Sequence, residues 1–103
     1  MPPISATVTW DTALNKGTVA PITVPKANGA TVITWTCDST VSSFTISGLD
    51  DAEFNPAQSN DGVTTFTTND RGDTAGDYSY YVDATHAATG ARSRHDPKIT
   101  NEP

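Results

Sequence analysis

The chain has 103 residues, a formal net charge of −6 and a hydrophobic content of 35%. This length suits one domain, spanning residues 1–103, that buries a core without disulfides or structural metals. The negative charge opposes binding to nucleic acid or to an anionic membrane, and no segment approaches the roughly 20 apolar residues of a membrane span.

The start of the chain and its single cysteine bear on the compartment. Residues 1–5 have neither the basic region nor the apolar run of a signal peptide. Cys37 has no partner for an internal disulfide, which favours a reducing compartment. We therefore expect a soluble cytoplasmic protein, in preference to the mature part of an exported one.

Seven segments alternate apolar with polar residues, which is typical of half-buried strands, and turn residues separate them. No segment has helical periodicity. Pro21 and Pro97 interrupt two of the segments, and because proline cannot donate to a ladder, we expect edge positions or bulges there. The segments cover residues 4–10, 18–24, 31–37, 42–47, 63–68, 78–85 and 91–100.

The same alternation predicts which side chains form the core. Trp35 lies on the apolar face of the third segment, and Tyr81 lies on the polar face of the Tyr-rich sixth segment. Leu49 and Phe54 are expected to plug one end of the domain from a long link. The other predicted inward residues are Phe44, Ile46, Tyr78, Tyr80, Val82 and Ala84.

Three stretches resemble the cupredoxin family: Gly29 to Asp38, Phe44-Thr45-Ile46, and Gly76 to Val82 with His86 beyond it. In that family a glycine-led strand containing Val and Trp precedes a strand with a Phe-Thr-Ile core, and a later Gly-x-Tyr-x-Tyr strand runs into the copper loop. Immunoglobulin-like domains use a similar Gly-x-Tyr-x-Tyr segment. Either resemblance implies an all-β fold, a single Greek-key β-sandwich of seven or eight antiparallel strands.

The cupredoxin resemblance implies a copper site, built from a thiolate, two imidazoles and usually a weak thioether. Val82 stands at the position of the thiolate and Thr89 at that of the axial Met. Ser42 or Ser43 occupies the position of the first His, which leaves His86 as the one matching ligand. We therefore expect no copper site and no other cofactor.

Other metal sites have weaker patterns. Cys37 and the two histidines match no zinc spacing. An acidic loop offers oxygen ligands of the kind that calcium takes, but its order does not match an EF-hand and Arg71 lies within it, so we expect solvated turn carboxylates. The alternative function that we retain is a small metal-binding protein using His86 with His95, or the loop of Asp70, Asp73 and Asp77.

Catalysis has little support in the sequence. No Ser/His/Asp or Cys/His set is present. A second acidic cluster, Asp50, Asp51 and Glu53, lies on a long link and is also expected to consist of solvated carboxylates. A hydrolase would need carboxylates from different loops to meet in a cleft, with one carboxyl of raised pKa. We therefore expect no enzymatic activity and no catalytic residues.

The favoured function is a non-catalytic binding or assembly module. The tripeptide Arg71-Gly72-Asp73 is the one that integrins recognise, and outward rows of Ser and Thr surround Tyr81. Such a surface suits a protein or carbohydrate partner, and association of copies through edge strands is a further expectation. The candidate interaction residues are Arg71, Gly72, Asp73, Tyr81 and His86.

Overall fold

The computed structural model describes residues 3–103. The expectations for a domain over residues 1–103 and for the absence of a signal peptide include Met1 and Pro2, which lie outside the described residues. The all-β prediction is confirmed for this range, whose helical structure is one 3-10 turn at Lys26–Asn28. No helix within the range has the length and apolarity to cross a membrane. The eleven strands described are β1 (Ile4–Asp11), β2 (Lys16–Thr18), β3 (Ile22–Val24), β4 (Thr31–Cys37), β5 (Val41–Ser47), β6 (Phe54–Asn55), β7 (Thr65–Asp70), β8 (Gly76–Ser79), β9 (Tyr81–His86), β10 (Arg92–His95) and β11 (Lys98–Asn101).

The strands form three hydrogen-bonded sheets, with the orders β2-β1-β4-β7-β6, β10-β9-β5 and β3-β11-β8. β1 runs parallel to β4, and β3 runs parallel to β11, whereas the other pairs are antiparallel. The expectation of seven or eight strands, all antiparallel, is therefore wrong in number and in direction. The physical reason is that alternation along a strand records which side chains are buried, and it is the same for either direction of the neighbouring strand.

The two three-stranded sheets are joined by one long hairpin. β9 pairs with β10 in the same register in which β8 pairs with β11. Between these ladders the N–H of Tyr80 donates to the carbonyl oxygen of Pro97 at 3.2 Å. Pro97 has no N–H with which to return a bond, so it interrupts the ladder without ending it.

Pro21 divides the second predicted segment into β2 and β3. β2 pairs with β1 in the five-stranded sheet, and β3 pairs with β11 in another sheet. Both strands lie at the end of their sheets, as expected beside a proline. The interruption therefore transfers the chain from one sheet to another, which the sequence did not predict.

Trp35 is at the centre of the core, as predicted. Its side chain is fully buried, and its indole N–H donates to the hydroxyl of Tyr80 at 3.1 Å. The indole packs against the rings of Phe66 and Tyr80 at centroid distances of 5.7 and 5.5 Å. Tyr78 is only partly buried, but the other predicted inward residues are buried, namely Phe44, Ile46, Leu49, Phe54, Tyr80, Val82 and Ala84.

Candidate functional site

A charged and aromatic cluster lies on the solvent side of the sheet formed by β5, β9 and β10. Arg94 of β10 lies opposite Asp83 of β9, and its Nε and Nη2 donate to the two carboxylate oxygens at 2.9 and 3.1 Å. The guanidinium carbon is 4.6 Å from the centroid of the Tyr81 ring. Arg94 is therefore held by a bidentate ion pair and by a cation–π contact.

The Tyr81 side chain points to solvent, as the alternation predicted, and is 39% exposed. The ring also packs against Gly48, where an added Cβ would lie 2.8 Å from Cδ2 of Tyr81. Polar side chains extend the cluster along a groove on the same sheet. We name this region the Tyr81 surface, and it consists of Ser43, Thr45, Tyr81, Asp83, Arg92 and Arg94.

The structure does not bring the two histidines together. His86 stacks on Trp10, with ring centroids 4.6 Å apart and planes 3° from parallel, and its Nδ1 bonds to Oγ1 of Thr89 at 2.9 Å. Its backbone N–H bonds to Ala91. His95 pairs with Val82, which lies four residues before His86 on β9. The two histidines are therefore about 13 Å apart along the sheet, at roughly 3.3 Å per residue.

The Arg-Gly-Asp tripeptide follows β7, in the five-stranded sheet, and its backbone is anchored. The N–H of Arg71 donates to the carbonyl oxygen of Glu53 at 2.9 Å, and the N–H of Gly72 donates to Oδ1 of Asp70 at 2.9 Å. The side chains of Arg71 and Asp73 are exposed.

Tyr81 and His86 do not form one surface. They are five residues apart on β9, and residues separated by an odd number of positions point to opposite faces of a strand. The predicted set of interaction residues is thus distributed over three places: the Tyr81 surface, the stack on Trp10, and the loop after β7.

A buried polar cluster lies next to the tripeptide. Glu53 precedes β6, Asp70 ends β7 and Asn101 ends β11, and their side chains are 3%, 0% and 3% exposed. Nδ2 of Asn101 lies 2.8 Å from Oε2 of Glu53, 3.0 Å from Oδ1 of Asp70 and 3.3 Å from the carbonyl oxygen of Thr74. Three acceptors therefore surround an amide nitrogen that has two hydrogens.

The cluster is neither fully hydrogen-bonded nor balanced in charge. Oδ2 of Asp70 and Oδ1 of Asn101 are buried without a hydrogen-bond partner. Within residues 3–103, Arg94 and Asp83 form the single ion pair, so no Lys, Arg or His pairs with Glu53 or Asp70. Burial raises the pKa of Glu53, the Asp73 carboxyl and the charge of Asp70 raise it further, and the N–H of Thr74 opposes them.

This grouping differs from both acidic clusters of the sequence. Glu53 and Asp70, expected to be solvated turn carboxylates, are buried together, while Asp73 is exposed. Asp77 accepts a hydrogen bond from Oγ1 of Thr100 at 2.7 Å and takes no part in the cluster's hydrogen bonds. Two acids from separate clusters meet because the β6–β7 ladder pairs residues 54 and 70.

Sequence reasoning missed Asn101. Its signal was the alternation along β11, where Ile99 and Asn101 share the buried face. β7 has the same kind of signal, because Phe66, Thr68 and Asp70 share its buried face. A polar residue that continues a row of buried positions thus identifies a buried polar site.

The donor set does not fit copper. Val82 is fully buried and has no donor atom, and Nδ1 of His86 is already bonded to Thr89. In the part of the chain that the structure describes, no three His, Cys, Asp or Glu side chains are grouped to hold a metal ion. Burial and the neighbouring Asp38 raise the pKa of Cys37, so its protonated thiol is favoured at neutral pH.

The Glu53–Asp70 pair also lacks the access that a hydrolase needs. The two carboxyls come from different segments, as the hydrolase hypothesis of the sequence analysis requires, but their side chains are 3% and 0% exposed. A glycosidase pair faces an open cleft that holds the substrate between the carboxyls. Here the carboxyls face Asn101 and the backbone of residue 74.

Comparison with protein-family models found no match to this chain. Comparison with curated protein sequences likewise found no significant match.

Proposed function

We propose that this protein is a non-catalytic binding module that recognises a protein partner through the Tyr81 surface. The observation that carries this proposal is the fixed position of Arg94 on a solvent-facing sheet, between the Asp83 carboxylate and the Tyr81 ring. Side chains held in place before binding lose less conformational entropy when a complex forms. Arg and Tyr are also enriched among the residues that dominate interface energies.

We further propose that the scaffold is a cupredoxin-like sandwich without copper. The resemblance in sequence covers residues 29–90. The parallel pairing of β1 with β4 departs from the two antiparallel sheets of the immunoglobulin fold, which favours the cupredoxin-like alternative. The side chains at the copper-ligand positions support a binding role rather than electron transfer.

A protein partner is favoured over a carbohydrate because of how the Tyr81 ring is covered. Arg94 lies over the ring, and Gly48 packs against it. A sugar that stacks on an aromatic residue needs an open ring face. The edge and hydroxyl of Tyr81 are better suited to contacts with polar and apolar groups of a protein.

Recognition through the sheet face is also favoured over strand addition at a neighbouring edge. The outer edge of β5 is occupied, because Phe44 and Val63 exchange two backbone hydrogen bonds of 2.8 Å. Beyond β10, the N–H of Gly17 in β2 donates to Oγ of Ser93 at 2.7 Å. A partner strand would have to displace these contacts before it could pair.

The test is partner capture by the immobilised protein, followed by mass spectrometry and measurement of the affinity of each captured protein. Arg94→Ala and Tyr81→Ala are compared with Lys98→Ala, which removes an exposed cation elsewhere on the same hairpin. We expect a partner that wild type and Lys98→Ala retain and that both Tyr81-surface variants lose, with unchanged melting temperatures.

Equal capture by wild type and Arg94→Ala would contradict the assignment of the surface. A glycan array provides the other arm of the test, because sugar binding that depends on Tyr81 would replace the protein partner with a carbohydrate.

A further inference from the structure

The buried cluster of Glu53, Asp70 and Asn101 has an electrostatic imbalance. Two carboxyl groups are almost completely removed from water, and no Lys, Arg or His forms an ion pair with either in the described range 3–103. A buried carboxylate is strongly unfavourable unless it is paired, coordinates a metal or becomes protonated. A proton or a cation from solution would relieve this imbalance.

The donor atoms present are those of a hard-cation site. Calcium binds carboxylate, side-chain amide and backbone carbonyl oxygens at about 2.3–2.6 Å in flexible geometry. The cluster contains the Glu53 and Asp70 carboxylates, the Asn101 amide and the carbonyl oxygen of Thr74. Two of these groups are carboxylates and the other two are neutral oxygen donors. The set is therefore compatible with the absence, among the described residues, of a group of three or more His, Cys, Asp or Glu side chains.

A second observation is independent of the acidic character of the cluster. Oδ2 of Asp70 and Oδ1 of Asn101 are buried oxygens without hydrogen-bond donors. Oδ2 belongs to the Asp70 carboxylate whose other oxygen already bonds within the cluster, and Oδ1 of Asn101 exchanges places with the engaged Nδ2 when the amide rotates. Buried acceptors of this kind favour a partner from solution, a cation or an ordered water, because leaving them unpaired has a substantial desolvation cost.

We propose that Glu53, Asp70, Asn101 and the backbone carbonyl of Thr74 form a calcium site that links the ends of β7 and β11 to the segment before β6. Binding rotates the Asn101 amide so that its oxygen faces the ion, since an amide nitrogen cannot act as a ligand there. The two carboxylates match the charge of Ca²⁺. This site is independent of the Tyr81 surface and differs from the Asp70, Asp73 and Asp77 loop of the sequence analysis.

The competing explanation is a shared proton. A neutral Glu53 carboxyl could donate to a neighbouring carboxylate, and the raised pKa of Glu53 is consistent with protonation when no cation is bound. The two explanations differ in a measurable way. A cation site responds to Ca²⁺ at neutral pH, whereas a proton-sharing pair responds only to pH.

The experiment is calcium titration of the intact, chelator-treated protein at neutral pH, followed by calorimetry and by thermal unfolding. We expect one ion per chain, a dissociation constant of about 10⁻⁴ to 10⁻³ M because the ligand set carries two charges, and a melting temperature that rises with calcium. Magnesium, which requires tighter octahedral geometry, should give a smaller shift at equal concentration.

Terbium luminescence gives a local readout. The hydroxyl of Tyr78 donates to the carbonyl oxygen of Thr74 at 2.8 Å, so this ring lies beside the proposed ligand. We expect bound Tb³⁺ to be sensitised by aromatic excitation and displaced by excess Ca²⁺. Tyr78→Phe should weaken the luminescence and leave one ion per chain in calorimetry.

The variants are Asp70→Asn and Glu53→Gln, with Asp61→Asn as the control because Asp61 is an exposed acid on another turn. Both cluster variants should lose the calcium-dependent rise in melting temperature, and Asp61→Asn should keep it. Asn101→Asp is informative even if another variant fails to fold, since a third carboxylate should tighten calcium binding.

Two results would overturn the proposal. One is the absence of calorimetric heat, thermal shift and terbium luminescence in wild type at millimolar cation, which would leave the shared proton as the explanation. The other is wild-type-like calcium binding by folded Asp70→Asn and Glu53→Gln, which would place the ion elsewhere. Neither result affects the partner-capture experiment with Arg94→Ala. The calcium site and the Tyr81 surface can therefore be refuted independently.

Discussion

The backbone of Gly72 lies directly against the carbonyl group of Gly29. A Cβ added to Gly72 would be 2.5 Å from the carbonyl carbon of Gly29 and closer still to its oxygen, and the φ of Gly72 is +68°. This contact fixes the loop that follows Asp70, where the N–H of Gly72 bonds to the carboxylate. The middle residue of the Arg-Gly-Asp tripeptide therefore has a packing role in the fold.

Gly72→Ala should destabilise the protein by more than the conformational cost of a positive φ, which is roughly 1–2 kcal/mol. Gly90→Ala is the matched control, because Gly90 has a φ of +76° and no atom within 4 Å of an added Cβ. Urea unfolding of both variants measures the difference, which isolates the clash with Gly29. Equal losses of stability would show that this contact relaxes freely.

Trp35→Ala should lower the free energy of unfolding by about 3–5 kcal/mol, because it removes a fully buried indole and leaves a cavity. Val32→Ala on the same strand serves as the comparison, since Val32 is 41% exposed and should cost less than about 0.5 kcal/mol. Chemical denaturation followed by far-UV circular dichroism provides the measurement, because this signal does not rely on the fluorescence of the removed tryptophan. A near-neutral Trp35→Ala would contradict the position of the indole in the core.

Tyr80→Phe should destabilise the protein at neutral pH by about 1–3 kcal/mol, since the buried indole N–H of Trp35 loses its acceptor. Burial raises the pKa of Tyr80 from 10.0 to about 12, so above pH 10 the unfolded chain releases this proton before the folded protein does. Wild-type stability therefore falls between pH 10 and about 12, whereas the Phe variant lacks this loss. The two stability curves should converge at alkaline pH, and parallel curves would contradict the raised pKa.

Glu53→Gln should change the pH dependence of stability in calcium-free buffer. Because the pKa of folded Glu53 lies above its ordinary value of 4.5, the folded protein binds this proton more tightly than the unfolded chain. Wild type thus loses stability as pH rises from 4.5 through the raised pKa, and Gln removes that loss. Urea midpoints at a series of pH values, with chelator present, test this. An unchanged slope in the variant would place the titration on another group.

The sequence predicted the core well where side-chain size and alternation agree. Trp35, Phe44 and Val82 are buried because a large apolar side chain in a row of inward positions has one favourable face. Leu49 and Phe54, expected inward from a link without regular alternation, are also buried. Strand direction was predicted wrongly, because β1 and β4 alternate in the same way whether they run parallel or antiparallel.

The candidate sites were predicted only in part. Tyr81 followed from alternation alone, but its contacts with Arg94 and Gly48 depend on the pairing of β9 with β10 and on the return of the chain after β5. Glu53 was placed on a solvated link, and Asn101 was not considered. Their meeting with Asp70 requires three segments that are distant in sequence, and no local pattern records such a contact.

By itself, the sequence determined an acidic β protein with an apolar interior, and it placed Val82 where the cupredoxin resemblance expects a thiolate. These properties depend on composition, on the period of two and on the identity of single residues such as Val82. The tertiary structure alone decided which strands are neighbours. It thereby buried Glu53 and Asp70 around Asn101, and it placed Arg94 against Asp83 and the Tyr81 ring. Long-range pairing controls these features, because whether a polar side chain is solvated or buried depends on what packs over it.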